Sequence, residues 1–94
     1  MTLNNFLELI RNINQNSTFY VKVDQKQLPL SKFTLSSSES YFSVGQNPMT
    51  KQKFIRLIKQ IYRTSLPLYV NYDNRKIPIY GLQISIELGR IILM

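Results

Sequence analysis

The sequence predicts an α+β domain in which one αβββ unit occurs twice, its two helices packed on antiparallel sheet with pseudo-two-fold symmetry. Three observations predict it. The first half of the chain can be laid over the second, apolar residues in each half recur at helical and then at strand spacing, and the same Asp and Pro mark the turns.

The repeat is read by aligning Met1, Thr2, Phe6, Leu9, Ile10 and Ile13 with Met49, Thr50, Phe54, Leu57, Ile58 and Ile61, six identities over thirteen positions. After a one-residue offset, Tyr20, Val21, Asp24 and Pro29 recur as Tyr69, Val70, Asp73 and Pro78. Ten identities over 25 positions exceed the roughly two that average composition supplies by chance. Residues 1–45 therefore form one repeat and 49–94 the other, with 46–48 as linker, inside a single domain spanning 1–94. A linker this short forces the halves to share a core.

Each repeat opens with Met-Thr and places Phe four residues after the Thr, the pattern of a hydroxyl N-cap with a hydrophobic staple. Helices are expected from Thr2 to about Asn14 and from Thr50 to about Arg63. Phe6, Leu9, Ile10 and Ile13, like Phe54, Leu57, Ile58 and Ile61, fall at i, i+3, i+4 and i+7, so each helix is expected to bury that stripe. Next, Phe19, Val21 and Val23 alternate with Tyr20 and Lys22, while Leu68, Val70 and Tyr72 alternate with Tyr69 and Asn71, the period of a half-buried strand. Asp24 and Asp73 begin polar turns. Leu28-Pro29-Leu30 and Ile77-Pro78-Ile79 open a second strand in each half, with Pro at a strand start or sheet edge. In the second half Leu82, Ile84 and Ile86 prolong the alternation before Glu87-Leu88-Gly89 turns into a final strand over 90–94. Ser36-Ser37-Ser38 precedes Tyr41-Phe42-Ser43-Val44 in the same way.

Composition narrows the chemistry. The chain has 94 residues, enough for one core and too few for two. It has no Cys and no His, so disulfides, thiolate nucleophiles, imidazole bases and the usual soft metal ligands are excluded. Five acids remain. A carboxylate pair built from Asp24 and Asp73 is conceivable, but turn capping explains both more simply. The three glycines are isolated, so no phosphate-cradling loop is present. We expect no catalytic residue, no metal and no cofactor. No apolar run reaches the ~18 residues of a membrane helix, and Met1–Asn5 lacks a basic leader, so a cytoplasmic, non-membrane protein is expected. Ala is absent while Asn, Ile, Lys and Tyr are plentiful, which suits a low-GC genome.

Net charge is +7, and it is unevenly placed: residues 1–47 hold four bases and three acids, 48–94 eight bases and two acids. On the second helix Arg56, Lys59 and Arg63 fall opposite the apolar stripe and form an outward cationic row. Lys51 and Lys53 add charge at the helix start, where the macrodipole disfavours it. Arg75 and Lys76 follow at the second turn. A second candidate surface is the sheet face bearing Tyr20, Lys22 and Tyr69, where aromatic and basic residues interleave as they do on sheets that stack unpaired bases. The structural alternatives are a merely solvated helix face and tyrosines that pair across strands.

At Phe54-Ile55-Arg56-Leu57-Ile58, Leu68-Tyr69-Val70, Lys76-Ile77-Pro78-Ile79 and Arg90-Ile91-Ile92-Leu93 the chain resembles the short helix-plus-meander modules of small accessory proteins from Gram-positive bacteria, their plasmids and phages. The resemblance implies a non-enzymatic protein that binds host machinery or nucleic acid, among them inhibitors of bacterial defence such as anti-CRISPR proteins. Three functions follow as expectations. The first is occupation of a site on a host protein or ribonucleoprotein. The second is DNA or RNA binding through Arg56, Lys59, Arg63, Arg75 and Lys76. The third is self-assembly through edge strands and the apolar Ile91–Met94 segment, which leaves monomer and homodimer both open.

Overall fold

The computed structural model describes residues 1–59 and 65–94. In chain order it contains α1 (Leu3–Leu9), β1 (Thr18–Val23), β2 (Lys26–Leu35), β3 (Ser40–Val44), α2 (Lys51–Ile58), β4 (Leu68–Tyr72), β5 (Arg75–Pro78), β6 (Leu82–Ser85) and β7 (Arg90–Leu93). The strands form one sheet in the order β5-β4-β3-β2-β1-β7-β6. Two contacts, β1 with β7 and β3 with β4, are parallel, and the others are antiparallel.

This overturns the expected fold class. The molecule is mostly β, its sheet is mixed rather than antiparallel, and the second half carries four strands where an αβββ unit has three. The helices, of seven and eight residues, do not form a layer on a sheet. Two turns of helix are too short to present a four-residue stripe, and the stripe is broken where it was expected to be continuous: Leu9 and Leu57 are 54% and 51% exposed. Helix α1 stops well before Asn14. Its Ile10 cap is followed by tight turns in which Arg11 N–H donates to Glu8 O and Ile13 N–H to Ile10 O. The expected end of α2 at Arg63 lies outside the described residues.

The N-caps do form. The Thr2 hydroxyl accepts from the Asn5 N–H and the Thr50 hydroxyl from the Lys53 N–H, both at 3.1 Å. The two hairpins also share one register. Tyr20 faces Pro29 and Val23 faces Lys26, as Tyr69 faces Pro78 and Tyr72 faces Arg75. Both hairpins close through two residues at positive φ, Asp24 (50°) with Gln25 (65°) and Asp73 (54°) with Asn74 (57°), the turn whose twist matches that of the strands. Hydrogen bonds then interlock the halves. Leu3 N–H donates to Leu66 O and Leu68 N–H to Met1 O, while Lys51 N–H donates to Ser17 O and Phe19 N–H to Met49 O. The segment leading into each helix thus pairs with the first strand of the other half.

Past the hairpins the halves diverge. β2 runs ten residues without a break, bending where its register shifts between Leu30 and Lys32, so its start pairs with β1 and its end with β3. The bend brings Ser31 so close to Gly45 that a Cβ there would collide with the Ser31 hydroxyl. The single strand expected over 77–86 is instead cut into β5 and β6 by Ile79, Tyr80 and Gly81. Those three residues also bend the sheet. In a flat seven-stranded sheet its outer strands would stand about 29 Å apart, whereas four Cα steps from Pro78 to Leu82 reach at most about 14 Å. The sheet therefore curls, so that the Pro78 end of β5 and the Leu82 end of β6 come within that reach, and Tyr80 N–H donates to Met94 O and Met94 N–H to Gly81 O at the end of β7.

The interior this creates is aromatic. Phe6 and Phe54 from the helices meet Phe19 of β1 and Phe42 of β3 with every ring pair between 5.1 and 5.7 Å apart, and Phe33 of β2 joins them at 5.1 Å from Phe42 and 5.0 Å from Phe54. All five phenylalanines of the chain lie in this cluster. Leu3, Ile10, Val21, Leu30, Val70, Ile91 and Leu93 complete it from both halves. No described helix is long and apolar enough to cross a membrane.

Candidate binding surface

Phe19 and Val21 point into the core, so alternation leaves Tyr20 and Lys22 of β1 on the opposite face, as it leaves Tyr69 and Asn71 of β4. Each tyrosine ring is covered there by a cation of the same chain. The Arg90 guanidinium lies 4.2 Å from the centre of the Tyr20 ring and donates to the Gln27 side-chain oxygen at 2.9 Å. The Lys76 ammonium lies 4.5 Å from the centre of the Tyr69 ring and pairs with the Glu39 carboxylate at 3.1 Å. Tyr69 also stacks on its parallel neighbour Tyr41, centres 5.1 Å apart and planes 20° from parallel.

The two clusters occupy the same place in the strand register. Gln27 and Lys76 stand opposite Lys22 and Asn71, and Arg90 and Glu39 each precede the residue that faces Phe19 or Leu68, namely Ile91 and Ser40. One cluster holds Tyr-Gln-Arg and the other Tyr-Lys-Glu, each drawing on both halves of the chain, so the cation moves from one neighbouring strand to the other while its place over the ring is kept. Such contacts are worth about 0.5–1 kcal/mol at exposed sites.

Protonation follows from this geometry. The hydrogen bond from Lys76, then that from Tyr69, holds the Glu39 carboxyl below its ordinary value of 4.5. Burial, then the Glu39 hydrogen bond and charge, pushes the Tyr69 phenol up to about 12.

The structure brings Tyr69 and Lys76 together but places Tyr20 in a separate cluster, with β3 and β2 between β4 and β1. Lys22 and Arg75 are exposed near the two hairpin turns. Arg56 and Lys59 are exposed on α2 and just after it, and Arg63 lies outside the described residues. Among the described residues Lys76–Glu39 is the only ion pair, so Lys22, Arg56, Lys59 and Arg75 have no acidic partner there.

Lys51 corrects the sequence reading most sharply. It is 3% exposed, and its ammonium donates to Ile13 O at 2.7 Å and Arg11 O at 3.2 Å. It neutralises the carbonyl end of the turns after α1 rather than burdening the start of α2. Burial lowers its pKa from the usual 10.5. The partners missed from sequence are Arg90, Gln27, Glu39 and Tyr41. Arg90 sits 70 residues from Tyr20 across a parallel contact, and no local periodicity marks such a pairing.

No protein-family model, curated protein or solved structure matches this chain. Among the described residues no group of three or more His, Cys, Asp or Glu side chains is placed to hold a metal ion. What the geometry offers is charge on a folded frame: the rings of Tyr20 and Tyr69, each already covered by a cation, and further cations without an acidic partner among the described residues.

Proposed function

We propose that this is a non-enzymatic binding protein of a phage or mobile element, which inhibits or modulates a host protein or ribonucleoprotein through its basic surface, in the manner of anti-defence proteins such as anti-CRISPRs. The observation that carries the proposal is the set of cations with no acidic partner among the described residues: Arg56 and Lys59 at α2, Lys22 and Arg75 at the hairpins. Unpaired like charges on a small domain repel one another, and an acidic partner relieves that repulsion. The low-GC composition and the lack of His and Cys support the same reading. Binding of DNA or RNA is the second reading, and the occupied ring faces of Tyr20 and Tyr69 favour phosphate contact over base stacking within it.

The test is capture from a low-GC Gram-positive lysate, with and without nuclease, using wild type and the Arg56→Glu/Lys59→Glu/Arg75→Glu variant. A partner that survives nuclease and is lost in the variant supports the first reading. Loss of every partner with nuclease, together with mobility shifts of nucleic acid that weaken by about 0.7–0.9 log units per log of salt for each phosphate contacted, supports the second. Equal capture by variant and wild type removes both.

A further inference from the structure

The β6–β7 connection is where the two halves differ most in chemistry. In the first half the Ser36 hydroxyl accepts from the Glu39 N–H at 3.1 Å and the Ser38 N–H at 3.4 Å, closing a turn made of serines. In the second half the Ser85 hydroxyl accepts from the Leu88 N–H at 3.3 Å, and the segment up to Arg90 reads Ile86-Glu87-Leu88-Gly89. The turn keeps the same length, four residues between strands, and exchanges serines for large apolar side chains. Those side chains do not enter the core. Ile86 is 91% exposed, Leu88 61% and neighbouring Ile84 37%.

Beside this tip lies a cavity of about 540 Å³ whose walls include Asn12, Ile13, Asn16, Ile84 and Ser85, with Ile86 at its rim. None of the nine described residues that line it is charged, on a chain of net charge +7. Two opposite charges flank it: Glu87 at the tip and Arg11 just before the Asn12 wall, both exposed.

We propose that this patch joins two copies of the chain about a two-fold axis, each copy seating Ile86 in the other's cavity and setting Glu87 against Arg11 of the second copy. A two-fold contact requires one patch to carry both members of every complementary pair. This one carries a protrusion with a recess and an acid with a base. A contact through α2 or the hairpin turns would bring unpaired cations face to face, whereas here two strongly basic molecules can approach without that repulsion. A contact of nine residues around a single tip is smaller than the roughly 20–30 residues a side of a stable interface, so the dimer is a weak, reversible one.

Sedimentation and light scattering of the purified chain from about 10 µM to 1 mM test it. The expected result is a mass rising with concentration toward two copies. Ile86→Ser with Leu88→Ser, which restores the chemistry of the serine turn at exposed positions, is expected to keep the circular dichroism of the fold and to weaken association at least about tenfold. Glu87→Lys is expected to weaken it, and the double exchange Arg11→Glu/Glu87→Lys to restore it. A monomer at every concentration overturns the proposal, as does a dimer indifferent to the serine substitutions.

Discussion

At the scale of single residues, an ammonium and a phenol show environment deciding chemistry. Lys51 donates to two backbone oxygens of the other half from a position that water barely reaches. Lys51→Met keeps the stem and removes the donor, leaving the carbonyls of Arg11 and Ile13 unpaired. We expect a loss of about 1–3 kcal/mol in denaturant unfolding. Tyr69 and Glu39 give a pH signature of opposite signs. The phenol is raised, so its contribution to stability is whole below pH 10 and is lost as pH climbs through about 12. The carboxyl is lowered, so its contribution is whole above pH 4.5 and is lost as pH falls through its lowered value. In ultraviolet titration one tyrosine is expected near pH 12, and Glu39→Gln is expected to bring that titration down, burial keeping it above 10. No spacing in the sequence marks Lys51 as buried, because its partners lie 38 and 40 residues back and are backbone atoms.

At the scale of elements, the parts specified by near neighbours were legible. Thr2 and Thr50 cap helices, and Asp24 and Asp73 open hairpins of one register. The parts specified by distant neighbours were not. Apolar periodicity cannot say that β1 lies parallel to β7, and a run such as Leu82, Ile84, Ile86 alternates whether or not its last member stays in a strand. The hairpins also carry a measurable tension. Gln25 adopts φ 65°, a region in which a residue with a Cβ is disfavoured, whereas its counterpart Asn74 tolerates it. Gln25→Gly is therefore expected to raise stability by about 0.5–1 kcal/mol in thermal or denaturant unfolding, with Asn74→Gly giving less.

For the whole molecule, the linkage of the halves dominates. Parallel contacts β1·β7 and β3·β4, the reciprocal bonds at Leu3, Phe19, Lys51 and Leu68, and the phenylalanine cluster all cross between halves. Separate peptides covering 1–48 and 49–94 are each expected to be unfolded by circular dichroism, and an equimolar mixture to regain the β signal and a cooperative transition. Two independently folded halves would refute this. That the halves share an interior was legible from the short linker, whereas the curl of the sheet was not, because it depends on which strand pairs with which.

That curl gives Ile79, Tyr80 and Gly81 a consequence of their own. They sew together strands at the two margins of the sheet, and Tyr80 is 86% exposed. Hydrolysis of one peptide bond within that stitch would leave every strand beside its present neighbours and yet remove the tether between the two outer strands. The outer edges of β5 and β6 would then be free to part and to recruit other chains, so a nicked preparation should precipitate where the intact one stays clear.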